Sequence, residues 1–282
     1  MSAGGFVTRF APSPTGFLHE GHAFSALTGF TAAQAAHGRF MLRIEDIDVA
    51  RCRPRFEAAL LEDLAWLGIR YEEPALRQSE HLGLHLAALN RLRALGLAYR
   101  CFRTRREILE ESASAPHGPS EGYRGAPLAA AEEARRLAAG EPFAWRLSLE
   151  AAIARAGPLG FVEEGEGPAG VRGRLAVDAR GAGDVVLGRK GLGVAYHLAV
   201  VVDDARQGVT CVIRGRDLFE ATHVQRLLQS LLGLPEPAYR HHRLILDEHA
   251  RRLSKRDGAR TLRELRARGV GAAELRARLG FG

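Results

Sequence analysis

The sequence predicts an α/β domain interrupted by an insertion. Three observations carry that reading: a strand, polar loop and helix follow one another at the amino end, the texture changes between about 101 and 180, and strand and helix patterns return from Val185. The elements follow in order. Phe6 to Phe10 alternates like a short strand and stops at Pro12-Ser13-Pro14-Thr15-Gly16, residues that punctuate helices and sheets alike. An apolar helical segment is expected from Gly21 to Ala36, and strand, loop, helix is the opening unit of many nucleotide-binding α/β folds. Arg39 to Ile44 reads as a second strand running into Glu45-Asp46-Ile47-Asp48, and Arg55 to Leu67 has helical spacing and ends before Gly68.

Ser112 to Pro127 is rich in Ser, Gly, Pro and charge, Ala129 to Ala139 reads as a short helix, and Phe143 to Leu149 as a strand. Gly157 to Gly173 reads as loops of a smaller subdomain. Beyond it, Tyr196 to Val202 is expected as a buried strand, Val209 to Arg214 as another, and Ala221 to Leu232 as a helix closed by Gly233. The tail adds a strand-like Arg243 to Leu246, a basic loop and a helix Leu262 to Arg268. The expected organisation is a first half at 1–100, an inserted α+β unit at 101–184, a second half at 185–240 and a tail at 241–282.

With 282 residues and 46% hydrophobic side chains, the chain can bury a real core. No run approaches the roughly 18 apolar residues of a membrane span, and the amino end lacks the apolar stretch of a secretory signal. A cytoplasmic protein with no membrane partner is the expectation. Cys52, Cys101 and Cys211 are too few and too scattered for a disulfide framework or an unaided cysteine zinc site. The formal charge of +7 permits a polyanionic partner without requiring one. Lys190 and Lys255 are the only lysines, so a lysine inside a polar loop stands out.

His19-Glu20-Gly21-His22 joins the polar loop to the first helix. Residues three apart share a helical face, Gly21 lets a ligand approach the backbone, and a helix start with two imidazoles suits a phosphate. Four residues alone read equally well as ordinary structure or a chance metal pair. Arg252-Leu253-Ser254-Lys255-Arg256 reads either as a solvated basic surface or as a loop folding over a triphosphate, with Lys255 neutralising the α-phosphate and leaving pyrophosphate. Arg43 and Glu45 would share a face at the end of their strand, as a salt bridge or as a polar pair at the sheet edge. A fourth, looser set is Tyr196, Asp203, Asp204 and Arg214. Arg214, if buried, needs a carboxylate, and a carboxylated substrate could provide it.

Together with Arg9 to Gly16, Leu42 to Asp48, Val200 to Ala205 and Ile213 to Leu218, these motifs in this order resemble class I aminoacyl-tRNA synthetases of the glutamyl and glutaminyl group, and most closely the short glutamyl-Q-tRNA(Asp) synthetases. The resemblance covers essentially the whole chain. It implies a Rossmann-like catalytic domain with an inserted acceptor-binding subdomain, and no anticodon-binding domain, since only 256–282 follow Lys255. It also implies ATP as substrate, with Mg²⁺ on its phosphates, and a monomer. Glutamate would be bound by Arg9, Ala11, Ser13, Glu45, Tyr196 and Arg214, and ATP by His19, Gly21, His22, Arg252, Ser254 and Lys255. His19, His22 and Lys255 would be catalytic, and Arg252 stands where the family often has a lysine. The acceptor implied is the queuosine base of tRNA(Asp). The zinc positions found in many short members read Cys101, Arg103, Tyr123 and Pro127 here, so no structural zinc is expected. Three alternatives stay open: a truncated or discriminating glutamyl-tRNA synthetase charging a tRNA 3′ end, another carboxylate-activating nucleotidyltransferase, and a catalytically inactive RNA-binding paralogue.

Overall fold

A computed structural model describes residues 5–104, 106–108, 122–189, 193–246 and 260–282. Strand β1 (Val7–Phe10), buried at every position, lies parallel to β2 (Arg39–Ile44), which lies parallel to β3 (Glu72–Arg77). A second sheet holds β10 (Cys211–Gly215), β11 (Ala238–His242) and β6 (Gly160–Glu163) in parallel, with β7 (Gly173–Ala176) closing an antiparallel hairpin on β6. The two sheets meet where the Val7 N–H donates to Thr210 Oγ1 and the Thr210 N–H donates to Val7 O, both at 2.9 Å. From that seam the chain leaves β1 toward β2 on one side and β10 toward β11 on the other. Such a switch point opens a crevice outside the carboxyl ends of the strands, where ligands of open α/β sheets bind.

Helix α1 (Glu20–Ala35) packs against the seam with Ala23, Phe24, Ala26, Leu27 and Phe30 buried. Gly29 lets the Phe40 ring in, since a Cβ there would sit 3.0 Å from Phe40 Cε2. Helix α2 (Pro54–Trp66) and the tail helices α8 (Leu262–Ala267) and α9 (Ala272–Leu279) share this core through Leu60, Leu64, Leu262, Leu265 and Leu275. A separate core joins α3 (Leu82–Ala94), α5 (Leu149–Ala156), α6 (Tyr196–Arg206) and α7 (Phe219–Leu232) to an antiparallel sheet of β4 (Ala98–Cys101), β5 (Ala144–Leu147), β8 (Val186–Arg189) and β9 (Gly193–Val194). That sheet, with α4 (Ala130–Ala138), forms the subdomain inserted between the two halves of the parallel architecture. No helix among the described residues is long and apolar enough to cross a membrane.

Three elements depart from the sequence reading. Tyr196 to Val202 begins the 11-residue helix α6 and is not a strand. Leu198 to Val201 are all buried because α6 lies between α3 and α7, so the run lost the polar face that would have revealed a helical period. The last strand is Ala238–His242 rather than Arg243 to Leu246. Its inward residues are Tyr239 and His241, which alternate with period two but carry no aliphatic signal. The glycine-rich stretch from Gly157 is not all loop: it holds β6, which extends the sheet of β10 and β11.

Candidate active site

His19 caps α1. Its Nδ1 accepts the Gly21 N–H at 3.1 Å, while its own backbone N–H donates to His22 Nδ1 at 3.2 Å, a reciprocal capping box made from two imidazoles. With both Nδ1 atoms accepting, a neutral ring carries its proton on Nε2. The ring centroids lie 3.8 Å apart. A Cβ on Gly21 would stand 3.0 Å from His19 Cε1, so glycine keeps this cap close to the backbone. The tail returns to the same place: the Leu262 N–H donates to Leu18 O at 2.8 Å, and Thr261, which caps α8 in a box with Glu264, bridges His19.

The crevice beside this cap is a cavity of about 430 Å³. Arg9, Ala11, Ser13, His19, Gly21, His22, Glu45, Tyr196 and Arg214 all line it, together with Arg243, Leu244 and Ile245. The carboxyl ends of β1, β2 and β10 bring Arg9, Glu45 and Arg214 to it, while His19 to His22 and Tyr196 come from the starts of α1 and α6. Arg252, Ser254 and Lys255 lie outside the described residues.

Three buried guanidiniums, Arg9 and Arg214 at this crevice and Arg43 behind Glu45, are held in two different ways. Arg43, fully buried, donates to Asp204 Oδ1 at 2.6 Å and Gln207 Oε1 at 2.9 Å, and pairs with Glu45 Oε1 at 3.2 Å. Arg9 donates to the same Asp204 oxygen at 2.9 Å. Burial by itself would raise the Asp204 carboxyl, but Arg9 and Arg43 overcome it and hold the group at about 2. At Glu45 burial wins over Arg43 and Arg9, and the carboxyl lies above its usual value. Glu45 is therefore a carboxylate that gains from an incoming cation.

Arg214 is different. It is 5% exposed, and its direct partners are neutral: Gln225 Oε1 at 2.7 Å, Thr222 Oγ1 at 2.7 Å and His241 Nε2 at 3.2 Å. Among the described residues no carboxylate pairs with it directly. A buried cation fixed by neutral acceptors is poised for an anion.

With this crevice described, the family "tRNA synthetases class I (E and Q), catalytic domain" matches residues 6–278. The chain belongs to that family. Within these class I synthetases it is 48% identical to the glutamyl-Q tRNA(Asp) synthetase of Rhodobacter capsulatus, covering 98% of this chain and 100% of that one. It is 45% identical to the enzyme of the same name from Nocardia farcinica, over 92% and 78% of the two chains. The crystal structure of the glutamate-tRNA synthetase of Elizabethkingia anophelis superposes with a TM-score of 0.75 at 28% identity over 90% of this chain. The chain spans about half the length of that solved structure, 53%. The class I synthetase fold, with its catalytic sheet and inserted subdomain, is thus shared, and the protein is an ATP-dependent ligase of the aminoacyl-tRNA synthetase kind.

Two further parts of this synthetase matter. A second cavity of about 450 Å³ shares Ser13, Glu45 and Tyr196 with the first and is walled by Ile47, Val185 and Val194, with Gln78, Arg51 and Arg189 at its polar side. His197 lines it too, and burial and the nearby Arg214 charge push its imidazole down to about 4, so it is neutral there. At the degenerate zinc positions, Cys101 Sγ lies 3.7 Å from Tyr123 Oη, whereas Arg103 and Pro127 are exposed. This corner of the insert is also tied by polar contacts. Asp184 accepts the Tyr99 hydroxyl at 2.7 Å and the Gly125 and Leu149 N–H groups at 2.9 Å each.

Thr222, Gln225, His241 and Glu163 escaped the sequence reading. Thr222 and Gln225 are one turn apart on α7, a spacing that looks like any polar pair until β10 is placed beside it. Glu163 carries no sequence signal at all.

Proposed function

We propose that this synthetase activates glutamate with ATP as glutamyl-adenylate and transfers the glutamyl group to the queuosine base of tRNA(Asp). The single observation that carries the amino-acid assignment is Arg214, a buried guanidinium held only by neutral atoms and facing the cavity. Arg9, Ala11, Ser13, Glu45, Tyr196 and Arg214 would surround glutamate, with Arg214 receiving a carboxylate and Glu45 the ammonium. His19, Gly21 and His22 would hold ATP together with Arg252, Ser254 and Lys255 of the basic loop, whose flanking residues Arg243 to Ile245 and Thr261 lie at the cavity and at His19.

In that arrangement an oxygen of the glutamate α-carboxylate attacks the ATP α-phosphorus in line, the bond to the bridging oxygen breaks, and pyrophosphate leaves. The protein contributes position and charge. His19 and His22, each with its proton on Nε2, donate toward the phosphates, and Lys255 offsets charge on the leaving group. Among the described residues no group of three His, Cys, Asp or Glu side chains is arranged to hold a metal ion, so Mg²⁺ would come with the nucleotide. In the second step an acceptor hydroxyl attacks the acyl carbon, AMP leaves and an ester forms. The second cavity, which adjoins the glutamate site through Ser13, Glu45 and Tyr196, offers the acceptor a place. Zinc has no part in this proposal, and neither has a membrane; the protein would work as a cytoplasmic monomer.

The name shared by the Rhodobacter capsulatus and Nocardia farcinica relatives supports the acceptor. The experiment supplies labelled glutamate and ATP with tRNA(Asp) containing or lacking queuosine, and with tRNA(Glu). Alkali-labile label appearing only on queuosine-containing tRNA(Asp) is the expected result. Charging of tRNA(Glu) irrespective of queuosine would reject the acceptor and leave glutamate activation standing.

A further inference from the structure

Arg214 is fixed from behind by a chain of buried groups. Glu163 and His241 are both without side-chain exposure, and Glu163 Oε2 lies 2.5 Å from His241 Nδ1. On the other side of the ring, His241 Nε2 lies 3.2 Å from Arg214 Nε, which can only donate. Those two contacts define the tautomer: Nδ1–H donates to the carboxylate and Nε2 accepts from the guanidinium. Glu163 is itself anchored, since its Oε1 accepts the Gly165 N–H at 2.8 Å and the His241 N–H at 3.0 Å. Gly165 lies flush on β11, where a Cβ would meet His241 O at 2.3 Å. Neither Glu163 nor His241 lines the cavity.

We propose that Glu163 and His241 are positioning residues for amino-acid binding: the carboxylate selects the histidine tautomer, and the histidine holds the Arg214 guanidinium so that its outer face meets the substrate carboxylate. The proposal rests on the reading of Arg214 as the glutamate receptor. The chain of charges runs from anion through neutral ring to cation, so Arg214 is oriented without being neutralised by a direct carboxylate. A direct Arg–Glu pair would hold it as firmly but would compete with the substrate. The groups facing His241 are Glu163 from β6, Arg214 from β10, Asp217 between β10 and α7, and Phe219 and Thr222 from α7. Burial lowers the imidazole from its ordinary value, Glu163 opposes and Arg214 reinforces that shift. The ring is therefore neutral at pH 7, and acid would convert Nε2 from acceptor to donor against Arg214.

The test compares wild type, Glu163→Gln, His241→Leu and His241→Gln in glutamate-dependent pyrophosphate exchange. Glu163→Gln and His241→Leu should raise the glutamate KM about tenfold, the loss of one hydrogen bond to a charged group, with kcat and the ATP KM within about twofold. His241→Gln, whose amide oxygen can accept from Arg214, should restore most of the affinity. The wild-type glutamate KM should rise as pH falls below the ordinary histidine range, and that rise should be missing in His241→Gln. A wild-type glutamate KM in both Glu163→Gln and His241→Leu, or equal losses for glutamate and ATP, would overturn the relay. Independently of any substrate, ring ¹⁵N shifts should show His241 protonated at Nδ1 and bare at Nε2. A protonated Nε2 overturns the relay even if glutamate binds, whereas the expected tautomer in a wild type that does not exchange with glutamate sinks only the amino-acid assignment.

Discussion

Replacing Arg214 with leucine is expected to lower kcat/KM for glutamate in pyrophosphate exchange by two to three orders of magnitude, about 3 to 4 kcal/mol, the loss that follows removal of one partner of a buried charge-assisted pair. The KM for ATP should change little, because the histidine cap of α1 is a separate part of the crevice. Stability should change modestly. The groups that Arg214 leaves behind, Thr222, Gln225 and His241, are neutral, and the buried Glu163 carboxylate keeps the His241 ring and the Gly165 and His241 N–H groups as partners. Lysine at the same position should recover only part of the loss, since a point ammonium cannot reach three acceptors arranged for a planar fork. A denaturation curve close to wild type, beside collapsed glutamate kinetics, is the paired signature to seek.

Asp204 is the opposite case. Its carboxylate is shared by Arg9 and Arg43, both buried, so Asp204→Ala takes one anion from two interior guanidiniums and leaves Glu45 as the remaining carboxylate paired with Arg43. Breaking such a pair costs about 3 to 5 kcal/mol. For a domain of this size that corresponds to a Tm lower by on the order of 10 °C. Glutamate activation should fall as well, because Arg9 and Glu45 lose the geometry that Asp204 and Arg43 impose. The pH dependence has a defined sign. The folded carboxyl lies at about 2, below its usual 3.8, so its contribution to stability is complete above about pH 4 and is lost as pH falls toward 2. Acid unfolding profiles of wild type and Asp204→Ala should therefore converge as pH falls from about 4 toward 2. Profiles that stay parallel through that range would mean that the Asp204 pairs add nothing to the fold.

How much of this was legible beforehand depends on the kind of signal. β2 runs from Arg39 to Ile44 as expected, and α1 opens at the His-Glu-Gly-His segment, because caps, turns and alternation are local properties. The nine site positions that lie among the described residues gather at one cavity, since motifs at the ends of parallel strands are brought together by the sheet. Helix α6 was misread because its apolar run is enclosed on several sides and shows no period. The support of Arg214 was invisible for a different reason. Thr222 and Gln225 acquire meaning only when α7 packs beside β10, and Glu163 only when a glycine-rich stretch pairs with β11. Local motifs picked out groups that line the cavity, and long-range packing determined what holds them.

The most direct measurement of the central claim is pyrophosphate exchange without RNA, run in turn with glutamate, glutamine and aspartate. Arg214, facing the cavity with only neutral partners, predicts exchange that depends on glutamate and is at least tenfold weaker with glutamine, which lacks the side-chain carboxylate. Exchange with glutamine as fast as with glutamate, or no exchange with any of the three, would contradict the account.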